Sequence, residues 1–175
     1  LARQLPTAVS VASREAAVVE QVQRDFRAKY FRLYGTSDVV GVEIGGALKS
    51  VIAIAAGVAE GLALGHNALA GLITRGLAEI TRLACAVGAQ RETLSGLTGL
   101  GDLVLTCTGS LSRNRHVGAE LARNRSLDDI LSGMKMVAEG VRTTDAALAL
   151  GARHGVELPS AAQVAELLAG RKDAR

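Results

Sequence analysis

A chain of 175 residues is long enough to enclose a substantial hydrophobic core, as one domain or as one domain and part of another. Its 20 Lys and Arg against 17 Asp and Glu leave a net charge of only +3, and 2% of residues are aromatic, which argues against a nucleic-acid-binding role. The most apolar stretch, residues 51–59, is bracketed by Lys49 and Glu60 and falls short of the roughly 20 residues that cross a bilayer, so no membrane insertion is expected.

Residues 7–12, TAVSVA, alternate as a strand does, and Ser13 is placed to cap a helix in which Val18, Val22 and Phe26 recur every four residues. YFRLYG, with Phe31 and Leu33 alternating, reads as a second strand ending at Gly35. A strand, a helix and a strand need neighbours to cover their edges, yet everything downstream of about Asp38 reads as helix, and the first residue is Leu1, not Met. Residues 1–39 are therefore expected to be a short βαβ remnant closing an α/β domain whose main part lies upstream, in a chain that is a fragment.

Residues 40–175 are expected to be all-helical, so the fold class is mainly α. One helix spans about 41–64, and a second runs from a cap at Asn67 to Val87, with Gly88 placed to end it. Gly45, Gly46, Gly57 and Gly61 fall inside the first, each costing roughly 1 kcal/mol against Ala, which points to close approach by another helix or a ligand. GLTGLGDLVLTCTGS, from Gly96, interrupts the pattern, and helix resumes from about Ser112. Ser126 and Asp129 form a capping-box pattern for a short helix that Gly133 ends. A further helix is capped by Thr143 or Thr144 and closed near Gly155; the last is opened by Ser160 and closed by Gly170, leaving residues 171–175 frayed.

Cys85 and Cys107 are far apart, and His66, His116 and His154 are scattered, so no metal site is expected and both thiols read as reduced. Lys49 stands out inside an apolar helix. Its ammonium either snorkels to the surface or points into a cleft, where partial desolvation lets it exchange a proton near neutral pH. Gly45 and Gly46, one turn earlier, strip side chains from the adjoining face and favour the cleft. In SLSRNRHVG, Arg113, Asn114 and Arg115 follow the Ser112 cap, placing cations where the helix dipole favours anions, which suits either a phosphate site or a solvated basic turn. Asp102, between glycines and an aliphatic run, is able to pair with Lys49 or to serve as a turn residue. Glu139, next to Gly140 before a helix, suits a ribose hydroxyl.

GVEIGGALKSVIAIAAG, GLTGLGDLVLTCTGSLSRNRHVG and VAEGVRT, in this order and spacing, resemble the C-terminal half of bacterial NAD(P)-dependent glycerol-3-phosphate dehydrogenases. LPTAVSVAS resembles the end of that family's nucleotide-binding domain, so the resemblance extends over essentially the whole chain. It implies a helical substrate domain that completes the active site for interconverting dihydroxyacetone phosphate and sn-glycerol 3-phosphate with NADP or NAD. Lys49 is implied as the catalytic acid or base that also touches substrate, with Asp102, Ser112, Arg113 and Asn114 as further substrate-binding residues. Arg113, Val137 and Glu139 are implied to meet the cofactor. No G-x-G-x-x-G follows a strand here, so the main cofactor site is expected upstream and the chain alone is expected to be catalytically incomplete. Ser50 stands where many members have Asn. The resemblance further implies a cytoplasmic enzyme supplying glycerol 3-phosphate for phospholipid synthesis and leaves a homodimer open. Two rival readings are a hydroxy acid dehydrogenase of related architecture and a non-catalytic association module.

Overall fold

The computed structural model describes residues 3–175. Strand β1 (Thr7–Ala12), helix α1 (Ala16–Asp25) and strand β2 (Phe31–Thr36) form a βαβ unit, the strands pairing in parallel from Thr7 opposite Phe31 to Ala12 opposite Thr36. The buried face of α1 differs from the expected one. Val19 is 9% exposed, whereas Val18 and Phe26 are 44% and 62% exposed. Gly35 on β2 has no side chain, and Val19 fills the place where its Cβ would stand, while Gln23 donates to the Leu33 carbonyl at 3.0 Å. That notch turns the helix by one position. Ser13 does not cap α1; its hydroxyl accepts from the Glu15 amide in a turn before the helix begins.

The remainder is helical: α2 (Val39–Gly61), α3 (Gly65–Ala86), α4 (Arg91–Ser95), a π-helical turn at Leu97–Gly101, α5 (Asp102–Thr108), α6 (Arg113–Leu121), α7 (Leu127–Ser132), α8 (Glu139–His154) and α9 (Pro159–Leu168). Helix α2 is the central rod. The apolar run extends well beyond residues 51–59, and by length and composition alone the whole helix could cross a membrane. Its surroundings here are protein, since α3, α5, α6 and α8 pack around it and Val51, Ile52, Ala53 and Ile54 are buried. A helix enclosed on several sides has little need of a polar stripe, which explains its composition. Leu83, Leu94, Leu103 and Val164 complete this core, and Val117, Ile130 and Ala138 form a second, smaller one beneath α6, α7 and the start of α8.

Several helices begin where another element supplies the cap. Helix α3 starts at Gly65, whose φ is +82°, so Asn67 lies inside the first turn. Helix α8 starts at Glu139, ahead of Thr143 and Thr144, whose hydroxyls donate back to the carbonyls of Glu139 and Gly140 at 2.9 and 2.7 Å. The Gly140 amide is instead bound by the Asn114 side chain. Helix α9 opens with Pro159, and the Ser160 amide donates to both carboxylate oxygens of Glu79 on α3 at 2.9 and 3.0 Å. Glu79 is 3% exposed, so a buried carboxylate from a distant helix does the work of a local cap.

Asp38 caps α2 and ties it to α4. One carboxylate oxygen accepts from the Gly41 amide and the other from the Gln90 amide, both at 2.8 Å. Burial by itself would raise the Asp38 carboxyl, but hydrogen bonds from Thr93, Gln90 and Gly41 together outweigh it and hold the group below its usual range. A depressed native value means its stabilisation is fully present above the unfolded value near 3.9 and is lost as pH falls through the native value. Asp38→Ala is expected to lose about 2–3 kcal/mol at pH 7, combining a lost cap with an orphaned Gln90 amide. Urea unfolding at pH 7 and pH 3 should show the variant losing less on acidification than the wild type; parallel losses in the two proteins would contradict the assignment.

Candidate active site

Lys49 leaves α2 toward the first residue of α5, and its ammonium forms an ion pair with the Asp102 carboxylate. Their side chains are 25% and 33% exposed, so both charges are partly shielded and partly open to solvent. The ammonium of Lys49 thus has a fixed partner, whichever way the helix face is used. The π-helical turn before Asp102 packs its Gly99 directly on the Leu94 backbone, in the space a Cβ would fill, and this delivers the chain to the start of α5. Such single π turns recur at functional positions because they re-aim the residues that follow.

The two glycines ahead of Lys49 have different roles. Gly45 is pressed against the Thr98 carbonyl and Leu94, so its lack of a side chain admits the π turn. Gly46 has nothing within 4 Å of its missing Cβ. It lies three residues before Lys49, on the same face of α2, and leaves open space beside the ammonium. Ser50 is buried, and its carbonyl rather than its hydroxyl lies against Gly140 of α8.

Asn114, 5% exposed, accepts from the Gly140 amide through Oδ1 at 2.9 Å. That bond sets the orientation of the carboxamide and leaves its NH2 without a partner among the described residues, yet no buried side-chain nitrogen or oxygen is left unbonded. The NH2 therefore reaches solvent and is free to donate. Because Gly140 also touches the Ser50 carbonyl, Asn114 stands close to the stretch of α2 that bears Lys49. Ser112 caps α6 by accepting from the Arg115 amide at 3.3 Å.

Arg113 and Glu139 form a second ion pair at 2.7 Å, with side chains 35% and 53% exposed. Val137 is 63% exposed and Met136 64%, giving an apolar rim beside that pair. The residues thus gather into an inner group, Lys49 and Asp102, and an outer group, Arg113, Glu139 and Val137. Asn114 and Gly140 bridge them through α6 and α8. The Arg113–Glu139 pair was not foreseen. Nor was Thr106, whose hydroxyl donates to the Asp102 carbonyl at 2.7 Å and lies 3.5 Å from Asp102 Oδ1. Its position four residues after Asp102 in a helix was the available signal.

Other chemistry finds little support. Cys107 is 1% exposed, and burial pushes its thiol up to about 12, so it stays protonated and inert. Cys85 is also a free thiol. Among the described residues, no three His, Cys, Asp or Glu side chains group as a metal site would require. What remains is an ammonium held by a carboxylate next to open space, with hydrogen-bond donors and a guanidinium at the outer edge. That arrangement can exchange a proton with an oxygen while holding an anionic group some distance away.

Residues 38–175 match the family described as NAD-dependent glycerol-3-phosphate dehydrogenase C-terminus. The chain is 57% identical over 175 residues to a glycerol-3-phosphate dehydrogenase (NAD(P)+) of Syntrophotalea carbinolica, covering 100% of this chain and 53% of that protein. It is 63% identical over 167 residues to the like-named protein of Acidobacterium capsulatum, covering 95% and 49%. The crystal structure of glycerol-3-phosphate dehydrogenase from Coxiella burnetii superposes with a TM-score of 0.95 at 42% identity, covering 99% of this chain and 53% of that one. The chain spans about half the length of the curated relatives it matches. These likenesses disfavour the hydroxy acid dehydrogenase and association-module readings. With the family match spanning everything from the α2 cap to the last residue, the chain belongs to the C-terminal family of NAD-dependent glycerol-3-phosphate dehydrogenases.

Proposed function

We propose that the complete protein interconverts sn-glycerol 3-phosphate and dihydroxyacetone phosphate, with residues 40–175 forming the substrate-binding and catalytic domain. The observation that carries this reading is the Lys49–Asp102 pair beside the open space left by Gly46. Residues 1–39 are read as the end of a cofactor domain; the parallel βαβ unit and a family match that starts at residue 38 support that division.

In the reducing direction, Lys49 gives a proton from Nζ to the ketone oxygen, which becomes the hydroxyl of the product. Asp102 remains a carboxylate throughout and orients the amine, which regains its proton from solvent. In the reverse direction the neutral amine takes the hydroxyl proton. Ser112, Arg113 and Asn114 hold the phosphate: a hydroxyl, a guanidinium and a carboxamide NH2 at the start of a helix are all donors to an anion. The residues present also suit the edge of a nicotinamide dinucleotide, NAD or NADP. Arg113 keeps guanidinium nitrogens beyond the one bound to Glu139, and Val137 offers an exposed apolar side. When bound, that cofactor supplies or accepts the hydride.

The same reading makes this a cytoplasmic enzyme that supplies glycerol 3-phosphate for phospholipid synthesis and leaves a homodimer open. The test is spectrophotometric: the full-length protein with NADPH or NADH and dihydroxyacetone phosphate should lose reduced cofactor and yield glycerol 3-phosphate. Turnover of a 2-oxo acid in its place would favour a hydroxy acid dehydrogenase, and turnover of neither would end the proposal.

A further inference from the structure

Asn114 and Arg113 are tied to α8 through Gly140 and Glu139, but the entry of the turn that carries them, ahead of Ser112, has few contacts of its own. After α5 ends at Thr108, the chain reverses through Gly109, Ser110 and Leu111, and Leu111 is 95% exposed, so no apolar side chain anchors the tip. Within the turn itself, the Ser112 amide donates to the Gly109 carbonyl at 3.2 Å. A surface entry held by one such bond leaves the path from α5 into the cap weakly defined.

Arg115 supplies a restraint at that entry, toward α2. Its Nε donates to the same Gly109 carbonyl at 3.1 Å, and its Nη1 pairs with the Glu60 carboxylate on α2. Its own amide donates to the Ser112 hydroxyl, and its carbonyl is seated on Gly57 of α2, in the space a Cβ would occupy. The side chain is 19% exposed. One residue thus binds the entry of the turn, its cap and the central helix together.

Arg113 and Arg115 are two residues apart on α6 and so face different ways. Arg113 turns to Glu139 and the outer rim; Arg115 turns to α2 and is already committed to two acceptors. Helix α2 is also the rod that bears Lys49, about 16 Å from Glu60 along the axis at 1.5 Å per residue. We propose that Arg115, with Glu60 as its counter-ion, is a positioning residue that registers the anion-holding turn against Lys49 without itself touching substrate. This inference rests on the dehydrogenase reading above. A guanidinium is needed because Nε and Nη1 serve two acceptors at once, which a lysine ammonium on a flexible stem does not reproduce.

The test uses the full-length enzyme with dihydroxyacetone phosphate and NADPH. Arg115→Lys keeps the charge and the fold while losing the fork, and is expected to raise KM for dihydroxyacetone phosphate roughly tenfold with kcat within about twofold of wild type. Glu60→Gln keeps an acceptor in place and should raise that KM about threefold. The double variant should be no worse than Arg115→Lys alone, because Glu60 acts only through Arg115. Unchanged KM in folded Arg115→Lys, or a fall in kcat with KM unmoved, overturns the positioning role. Additive effects in the double variant do so as well. No turnover by the wild type instead overturns the dehydrogenase reading, and this inference with it.

Discussion

On the proposed dehydrogenase function, Lys49→Met is expected to leave a folded full-length protein that reduces dihydroxyacetone phosphate at least about a hundredfold more slowly. Methionine keeps an unbranched stem of similar length within α2, so the helix is not opened by a cavity. What disappears is the ammonium, and with it the proton held over the space beside Gly46. Asp102, the partner of that ammonium, offers an acceptor in its place and not the donor that has been removed. The loss should fall on kcat, because the group acts on the ketone oxygen as charge develops there. The proposed phosphate grip by Ser112, Arg113 and Asn114 does not involve Lys49, so KM should stay within a few fold. Steady-state kinetics alongside thermal unfolding separate the possibilities. A kcat within about tenfold of wild type, at unchanged stability, would return Lys49 to a structural ion pair.

Lys49 stands out as a candidate from residues alone because its signals are local. A cation within an apolar helix and two glycines one turn away all lie within five positions, and the spacing puts them on one face. The Ser112 cap and the Ser126–Asp129 cap were likewise readable, since cap and first turn are adjacent. What eluded the sequence depends on tertiary partners. Arg113 and Glu139 are 26 positions apart on different helices, and nothing in either segment names the other. Thr143 and Thr144 looked like caps because hydroxyls at a helix start usually are. In fact Asn114 binds the Gly140 amide in the first turn of α8, and the helix begins five residues ahead of where a Thr143 cap would start it. Glu79 does the same for α9 across 81 positions. On α1, the notch at Gly35 decided between Val18 and Val19, a choice invisible to periodicity.

A backbone contact also fixes how far the two halves of the site stand apart, and Gly118→Ala is expected to break it. The missing Cβ of Gly118 on α6 lies against the Ile54 carbonyl and the Val58 amide of α2, while that of Gly57 lies against the Arg115 carbonyl and the Ala119 amide. Each helix is thus seated in the other without side chains between them. Helix propensity alone favours alanine by about 1 kcal/mol, but the new methyl meets backbone, which has no rotamer to escape into. Overpacking of this kind costs about 1–3 kcal/mol, more where both contact atoms are main chain, so the net effect should be destabilising. Gly71→Ala provides the contrast: Gly71 lies in α3 with nothing within 4 Å of its missing Cβ, and there the propensity gain should stand alone. If α6 instead yields by about an ångström, Arg113 and Asn114 move with it while Lys49 stays on α2. A displacement of that size can cost about a hundredfold in kcat/KM. Urea unfolding and steady-state kinetics on the full-length variants should therefore place Gly71→Ala at or above wild-type stability and Gly118→Ala below it in stability, activity or both. A Gly118→Ala enzyme as stable and active as wild type would mean that the helices separate freely, and that their contact does not set the geometry of the site.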